Sequence, residues 1–287
     1  MNALIILGLL VVLMLTGMPI SISLGLTVLS FLFFLTEVPI ESVALKLFTG
    51  IEKFEIMAIP FFILAGNFLT HGGVARRMIA FATSMVGHWH GGLGLGGVLA
   101  CALFAAVSGS SPATVVAIGS ILMPAMVKAG FPKGFGAGVI TTSGALGILI
   151  PPSIVMVMYS VSTNTSVGAL FMAGVIPGLL LAFFLGLTTW YRAKKNNYPC
   201  QPKATWAERW VSFRKAIWGL LLIVVVMGGI YTGIFTPTEA AAMSAVYAFV
   251  VAVFVYKDMG MKDVPRVLLS SANMSAMLLY IITNAVL

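Results

Sequence analysis

The chain of 287 residues is 60% hydrophobic, only 8% of its residues are charged, and its net charge is +8. Because soluble domains average about 25% charged residues, this composition excludes an ordinary soluble protein and indicates a chain embedded in lipid. The positive charges lie in short stretches between apolar runs, which is typical of membrane topology rather than of nucleic-acid binding.

In chain order, the apolar runs predict helices and no strands, since they lack the two-residue alternation that a membrane barrel requires. The predicted helices cover residues 3–15, 20–35, 56–69, 93–107, 113–127, 135–150, 154–161, 170–191, 217–234, 240–256 and 267–287. A further segment, 74–86, is amphipathic and carries Arg76 and Arg77, so we expect it to lie along the membrane surface. The predicted fold class is therefore an all-α, polytopic membrane protein.

The loop charges predict the orientation of the chain in a bacterial inner membrane. The loop 192–215 is rich in Lys and Arg and contains one acid, Glu208, so it is predicted to be cytoplasmic. Counting helices outward from it places every other Lys and Arg on the same side, except Lys46 and Lys53, which share an acidic loop. The same count places the N-terminus in the periplasm.

Two regions of the chain resemble each other. Pro19 and Pro237 each separate two apolar helices, and Asn67 and Asn284 each lie late in an apolar helix at matching positions. The loop after the first helix pair is acidic and the loop after the second is basic, so the two copies have opposite orientations. Inverted repeats of this kind mark secondary transporters. The second copy stops early, and we expect a C-terminally truncated chain.

The apolar segment 93–127 is interrupted by Ser108, Gly109, Ser110, Ser111 and Pro112. Each arm has about 15 residues, fewer than the roughly 20 that cross a bilayer, which predicts a re-entrant helical hairpin. Gly and Pro release backbone carbonyls from the helix ladder. Carbonyl and hydroxyl oxygens suit a small cation, and the start of the next helix suits a carboxylate.

A second interruption spans residues 141–153 and predicts a broken helix. Its candidate site residues are Thr142, Ser143, Gly144, Gly147, Pro151 and Pro152. Two interrupted helices in one half of a membrane protein indicate a transport site. The alternative is that Gly and Pro only kink packed membrane helices.

Two further polar residues, Asn67 and Glu239, each allow two interpretations. Asn67 either lines the site or packs between helices. Glu239 is either an intramembrane ion site or the third helical residue of a capping box that begins at Thr236. An enzyme is not indicated. Ser110 does not lie in the Gly-x-Ser-Gly motif of an intramembrane serine protease, and no His-Glu-x-x-His motif occurs.

The sequence resembles the large membrane subunit of TRAP (tripartite ATP-independent periplasmic) transporters of the C4-dicarboxylate type. The stretches that carry the resemblance are 17–20, 58–67, 108–111, 150–153, 170–174 and 233–240. The departure lies at the end, where the family's second hairpin and second broken helix are absent.

The resemblance implies an elevator-type transporter that couples sodium to the import of a small organic anion, such as a C4-dicarboxylate or sialic acid. It also implies a periplasmic binding protein and a small membrane subunit as partners, sodium as the coupling ion, and no organic cofactor. Carried over by motif, Ser108, Ser110, Gly144 and Pro151 would hold one sodium ion. The alternative is a truncated scaffold subunit that does not transport.

The chain is accordingly divided into five predicted parts. They are the scaffold helices of the first repeat (1–70), an interfacial segment (71–92), the transport hairpin with its broken helix (93–166), a helix with the basic loop (167–215) and the incomplete second scaffold (216–287).

Overall fold

The computed structural model describes residues 2–35, 39, 43, 45, 47, 49 and 52–286. Within this part of the chain no strand is present, which confirms the all-α prediction. The helices are α1 (Asn2–Leu15), α2 (Ile20–Leu35), α3 (Ala58–His71), α4 (Val74–Val86), α5 (Gly92–Ser108), α6 (Ser111–Lys128), α7 (Lys133–Gly144), α8 (Leu146–Leu149), α9 (Ile154–Thr163), α10 (Val167–Lys195), α11 (Trp206–Tyr231), α12 (Pro237–Val250) and α13 (Val264–Val286). A 3₁₀ turn, Phe54–Met57, precedes α3, and a π-helical turn, Val251–Val255, follows α12.

Among the described residues, six helical segments are long and apolar enough to cross a membrane. They are Phe54–His71, Ser111–Lys128, Val167–Lys195, Trp206–Tyr231, Pro237–Val255 and Val264–Ala285. The α7–α8 segment and α9 pass the same test as a pair that is bent by 42°. These segments confirm the prediction of a polytopic membrane protein with a broken helix.

The helix predicted over residues 135–150 is interrupted in the structure. It runs from Lys133 to Gly144 and continues, after Ala145, only as the single turn α8. The Ala145 amide donates to the Thr142 carbonyl, and the Ile148 amide donates to the Ala145 carbonyl, so the backbone tightens to three-residue spacing. The helix cannot continue beyond this turn, because Ile150, the residue before Pro151, is extended, as residues that precede proline usually are.

The helix predicted to begin at residue 217 begins at Trp206 instead. Thr205 accepts a hydrogen bond from the Glu208 amide, and the Glu208 carboxylate accepts one from the Thr205 amide. This capping box satisfies free amides at the helix start, so the helix extends into polar sequence well before the apolar run. The basic segment 192–215 is therefore mostly helical.

A second capping box decides the role of Glu239. Its carboxylate accepts hydrogen bonds from the Thr236 amide and hydroxyl, each at 2.8 Å, and the Thr236 hydroxyl accepts from the Glu239 amide. Pro237 occupies the first helical position, where its missing amide costs nothing. The structure supports the capping interpretation over an ion site.

The two predicted copies pack against each other in a reciprocal manner. By the repeat spacing, α2 and α3 of the first copy correspond to α12 and α13 of the second. In the structure α2 packs against α13, and α12 packs against α3. Thus α2 contacts the counterpart of α3, and α3 contacts the counterpart of α2. A pseudo-twofold axis between the two copies produces this pattern.

The amphipathic helix α4 has its bounds where the sequence predicts them. Val74, Met78 and Ala82 are fully buried, because α5 and α11 pack against this face. Protein therefore covers the apolar stripe of α4, and its polar side carries Arg76.

The acidic loop predicted to be external is described only in part, and Glu37, Glu41 and Lys46 lie outside the described residues. The Lys53 ammonium donates to the Val161 carbonyl and to Asn164 Oδ1, both at 2.6 Å. This contact joins the entry to α3 with the C-terminal end of α9.

Candidate functional site

The hairpin tip is a sharp turn between α5 and α6. Helix α5 ends at Ser108, Gly109 adopts φ +61°, and Ser110 is extended before α6 begins at Ser111. A Cβ on Gly109 would lie 2.6 Å from the Pro152 carbonyl oxygen. Glycine is therefore required twice here, once for the left-handed backbone and once for the close approach of the broken helix.

A small hydrogen-bond cluster closes this tip. Ser108 is fully buried, and its Oγ lies 3.0 Å from Thr114 Oγ1. The Thr114 hydroxyl and amide both donate to the Ser110 carbonyl, at 2.8 Å and 3.0 Å. Sequence reasoning missed Thr114, although a hydroxyl residue one helical turn after Ser110 was a usable signal.

The hairpin tip and the second interruption meet in space. The Ile154 amide donates to the Gly109 carbonyl at 3.0 Å. A Cβ on Gly147 would lie 2.8 Å from the Ser111 nitrogen, and one on Gly144 would clash with Val115. Two regions that are separate in sequence therefore form one site, and both glycines permit the contact.

Helix α10 covers the proline turn from the other side. Pro151 and Pro152 are buried, and the peptide bond between them is cis. A Cβ on Gly174 would lie 2.7 Å from the Leu149 carbonyl oxygen, and one on Gly178 would lie 2.9 Å from Ile150. Small residues thus let α10 approach the irregular backbone closely, which shields it from lipid.

Three serine hydroxyls of the two interrupted segments have no hydrogen-bond partner among the described residues. Ser143 is fully buried and its Oγ is unpaired. Ser110 and Ser111 also direct no side-chain hydrogen bond to any described residue, whereas Ser153 donates to the Ile148 carbonyl at 2.7 Å. Buried polar atoms are normally satisfied, so the unpaired Ser143 oxygen is free to accept or donate a hydrogen bond or to ligate a cation.

Thr142 lies apart from this meeting point. Its hydroxyl donates to the Gly138 and Val139 carbonyls of its own helix. It lines a separate cavity of about 280 Å³ between α7 and α10, together with Thr188 and Arg192. The Thr142 hydroxyl is thus bonded within α7 and lines a different cavity, although its chain neighbours Ser143 and Gly144 are predicted site residues.

Asn67 lies beside the site and bonds to the second repeat. Its amide nitrogen donates to Ser271 Oγ at 2.7 Å, and the side chain is buried. The preceding residue, Gly66, packs against Ser108, whose backbone oxygen lies 3.3 Å from a Cβ placed there. Asn67 thus links α3 to α13 directly behind the hairpin tip, and Gly66 and Ser271 were missed from sequence.

The chemistry of the meeting point is that of neutral oxygen atoms. Hydroxyl and carbonyl oxygens are hard ligands that suit alkali and alkaline-earth cations. Among the described residues, no group of three or more His, Cys, Asp or Glu side chains could hold a transition metal. The first turn of α6 adds free amides and the positive end of its dipole, which suits an anion.

Comparisons with known proteins add an independent line of observation. A family model described as "Tripartite ATP-independent periplasmic transporter, DctM component" matches residues 7–287. The chain is 77% identical, over its whole length, to the C4-dicarboxylate TRAP transporter large permease protein DctM of Rhodobacter capsulatus. It is 55% identical over 86% of its length to the protein of the same name from Pseudomonas aeruginosa, and 49% identical over 96% to that from Vibrio cholerae. The chain spans 68%, 58% and 65% of the lengths of these three relatives.

Proposed function

Because this chain belongs to the DctM component family of the tripartite ATP-independent periplasmic transporters, we propose that it imports a C4-dicarboxylate, or a related small organic anion, in symport with sodium. Membership of the family confirms two predictions, namely a membrane transport protein and not an enzyme. The substrate, the coupling ion and the partners are the parts that we propose.

The observation that carries the proposal is the meeting of the two interrupted helices. The Gly109 carbonyl is bonded to the Ile154 amide, and the buried Ser143 hydroxyl is left without a partner. We infer that a sodium ion is bound near this point by hydroxyls of Ser110 and Ser143 together with freed backbone carbonyls. Neutral oxygen ligands match sodium, which needs no protein charge to bind.

A carboxylate substrate fits the same place. The helix that begins at Ser111 directs free amides toward the tip, and the bound cation would add positive charge. The relatives named for C4-dicarboxylates support this substrate class. Recognition through helix ends and hydroxyls needs no buried Lys or Arg.

The partners and orientation are proposed from the same family membership and from the loop charges. A periplasmic binding protein delivers the anion, and a small membrane subunit completes the permease. The N-terminus faces the periplasm, and the basic segment 192–215 faces the cytoplasm.

The test is uptake into proteoliposomes that contain the binding protein and the small subunit. Uptake of labelled succinate is expected to rise with an inward sodium gradient. The assay compares the 287-residue chain with a C-terminally extended form. Ser110→Ala is expected to shift sodium activation to about tenfold higher concentration, because the loss of one ligand costs about 1–2 kcal/mol.

The matched control is Ser120→Ala, since Ser120 lies in α6, the helix that follows Ser110, and its side chain bonds only to Ala117 of the same helix. Uptake that is independent of sodium, or equal sodium activation in the two variants, would reject the site. Uptake by neither form, with both forms folded, would leave a non-transporting scaffold as the function.

A further inference from the structure

A polar cavity of about 560 Å³ lies away from the proposed transport site, between α4, α11 and the π-helical turn. It contains four cationic side chains and two aromatic ones, namely Arg76, Arg77, Arg214, Lys215, Trp218 and Tyr256. A concentration of cations in one cavity requires counter-charge, and the protein supplies little of it.

One carboxylate serves the two cations of α4. Asp258 Oδ1 lies 3.0 Å from Arg76 Nη2, and the same carboxylate pairs with Arg77. The Arg77 guanidinium also lies 3.8 Å above the Tyr256 ring. The α4 side of the cavity is therefore ordered, and it keeps one positive charge in excess.

The two cations of α11 are free of such neutralisation. Within the described residues, neither Arg214 nor Lys215 forms an ion pair, and both side chains are exposed. Together with the excess on α4, the cavity carries a surplus positive charge that suits a phosphate group.

The walls of the cavity are joined by hydrogen bonds. The Tyr256 hydroxyl donates to the Lys215 carbonyl at 2.6 Å, and the Tyr247 hydroxyl donates to the Trp218 carbonyl at 2.8 Å. The π-helical turn Val251–Val255 directly precedes Tyr256, and such turns often occur at functional positions. These bonds join the backbone of α11 to Tyr256, whose ring also lies against Arg77 of α4.

The rim of the cavity is apolar and exposed. Trp218 and Val255, which line the cavity, are 42% and 38% exposed, and Phe254, the residue before Val255, is 56% exposed. Tryptophan beside cationic side chains is typical of the membrane–water interface. A ligand with a phosphate group and hydrocarbon chains would fill both the cavity and its rim, whereas free phosphate would use only the cavity.

We propose that this cavity binds the headgroup phosphate of an anionic phospholipid, with Arg214 and Lys215 as its principal contacts. The acyl chains then lie along the exposed face of α11 and the π-helical turn. Basic cavities between membrane helices are suited to such headgroups. Neither the coupling ion nor the transported substrate enters this proposal.

The test is native mass spectrometry of the full chain in detergent, titrated with dioleoyl phosphatidylglycerol. The double variant Arg214→Gln/Lys215→Gln is expected to bind this lipid at least about tenfold more weakly, because each basic residue near an anionic lipid contributes appreciably to binding. The control Lys194→Gln/Lys195→Gln has the same charge change at the end of α10, outside the cavity, and is expected to change binding by less than about twofold.

Two further arms distinguish the possible anions and the specificity. Dioleoyl phosphatidylcholine should bind the two double variants equally, and inorganic phosphate at millimolar concentration should not displace phosphatidylglycerol. Displacement by phosphate would assign the cavity to a free anion and overturn the lipid proposal. Equal losses in both double variants would show attraction by overall charge and overturn the site. If the double variant does not fold, the same lipid titration is made with the single variants Arg214→Gln and Lys215→Gln.

Discussion

At the scale of single residues, glycine positions decide whether the proposed transport site can form. Gly109 combines a left-handed backbone with a contact to the Pro152 carbonyl. The start of α6 lies so close to Gly144 and Gly147 that neither position has room for a Cβ. The sequence shows these glycines as helix breakers, whereas the structure shows that each of them faces another segment.

Gly109→Ala is expected to separate the hairpin tip from the broken helix. The added Cβ meets a backbone oxygen, which cannot rotate away, and the left-handed conformation adds about 1–2 kcal/mol of strain. The thermal unfolding midpoint in detergent is expected to fall by more than about 4 °C. The sodium-dependent rise in that midpoint should disappear as well.

Gly130→Ala is the matched control for this substitution. Gly130 has φ +92° and nothing within 4 Å of a Cβ, so it carries the backbone strain without the contact. It should lower the midpoint modestly and leave the response to sodium unchanged. Identical behaviour of the two variants would show that the contact with Pro152 is unimportant.

At the scale of helices, polar side chains at the ends set the bounds that hydropathy misses. The Thr205 and Thr236 capping boxes start α11 and α12. At the C-terminal end of α9, Lys53 donates to the Val161 carbonyl and to the Asn164 side chain. A cation at a helix C-terminus is favoured by the free carbonyls and by the helix dipole.

Lys53→Met is expected to loosen the last turn of α9. Removal of a charged donor from two acceptors costs about 1–2 kcal/mol, so the amides of residues 160–165 should exchange hydrogen about fivefold to thirtyfold faster. Hydrogen exchange followed by mass spectrometry measures this locally. The control Lys203→Met removes the same charge from an exposed position and should leave hydrogen exchange in α9 unchanged. Equal protection of the amides of residues 160–165 in the two variants would exclude the capping role of Lys53.

At the scale of the whole molecule, the reciprocal packing of α2 with α13 and of α3 with α12 relates the two copies. The hydrogen bond from Asn67 to Ser271 joins them next to the hairpin tip. A membrane protein built from inverted copies must place corresponding helices in opposite directions. The proposed topology is therefore a property that can be measured at two positions.

Cys200 provides the first of these positions. It is exposed in the segment between α10 and α11, whereas Cys101 is buried. A membrane-impermeant maleimide is expected to label Cys200 in inside-out vesicles and not in right-side-out vesicles. Glu52→Cys in a Cys200→Ser background should show the opposite pattern. Labelling of Cys200 from the periplasmic side would overturn the orientation.

The sequence by itself determined the helical class, the positions of the two interruptions and the family. These follow from hydropathy and from the local backbone chemistry of Gly and Pro, which act within a few residues. It placed the bounds of α4 correctly, but it set the start of α11 too late, because a capping box begins a helix in polar sequence.

Only the tertiary structure decided which polar groups are paired with each other. It paired Ser108 with Thr114, left Ser143 unpaired and directed Thr142 to another cavity. It also joined Gly109 to Ile154 and Asn67 to Ser271 across long stretches of chain. The physical reason is that hydropathy records how much of a helix is apolar, whereas the partner of a hydroxyl depends on which helix face packs against which neighbour.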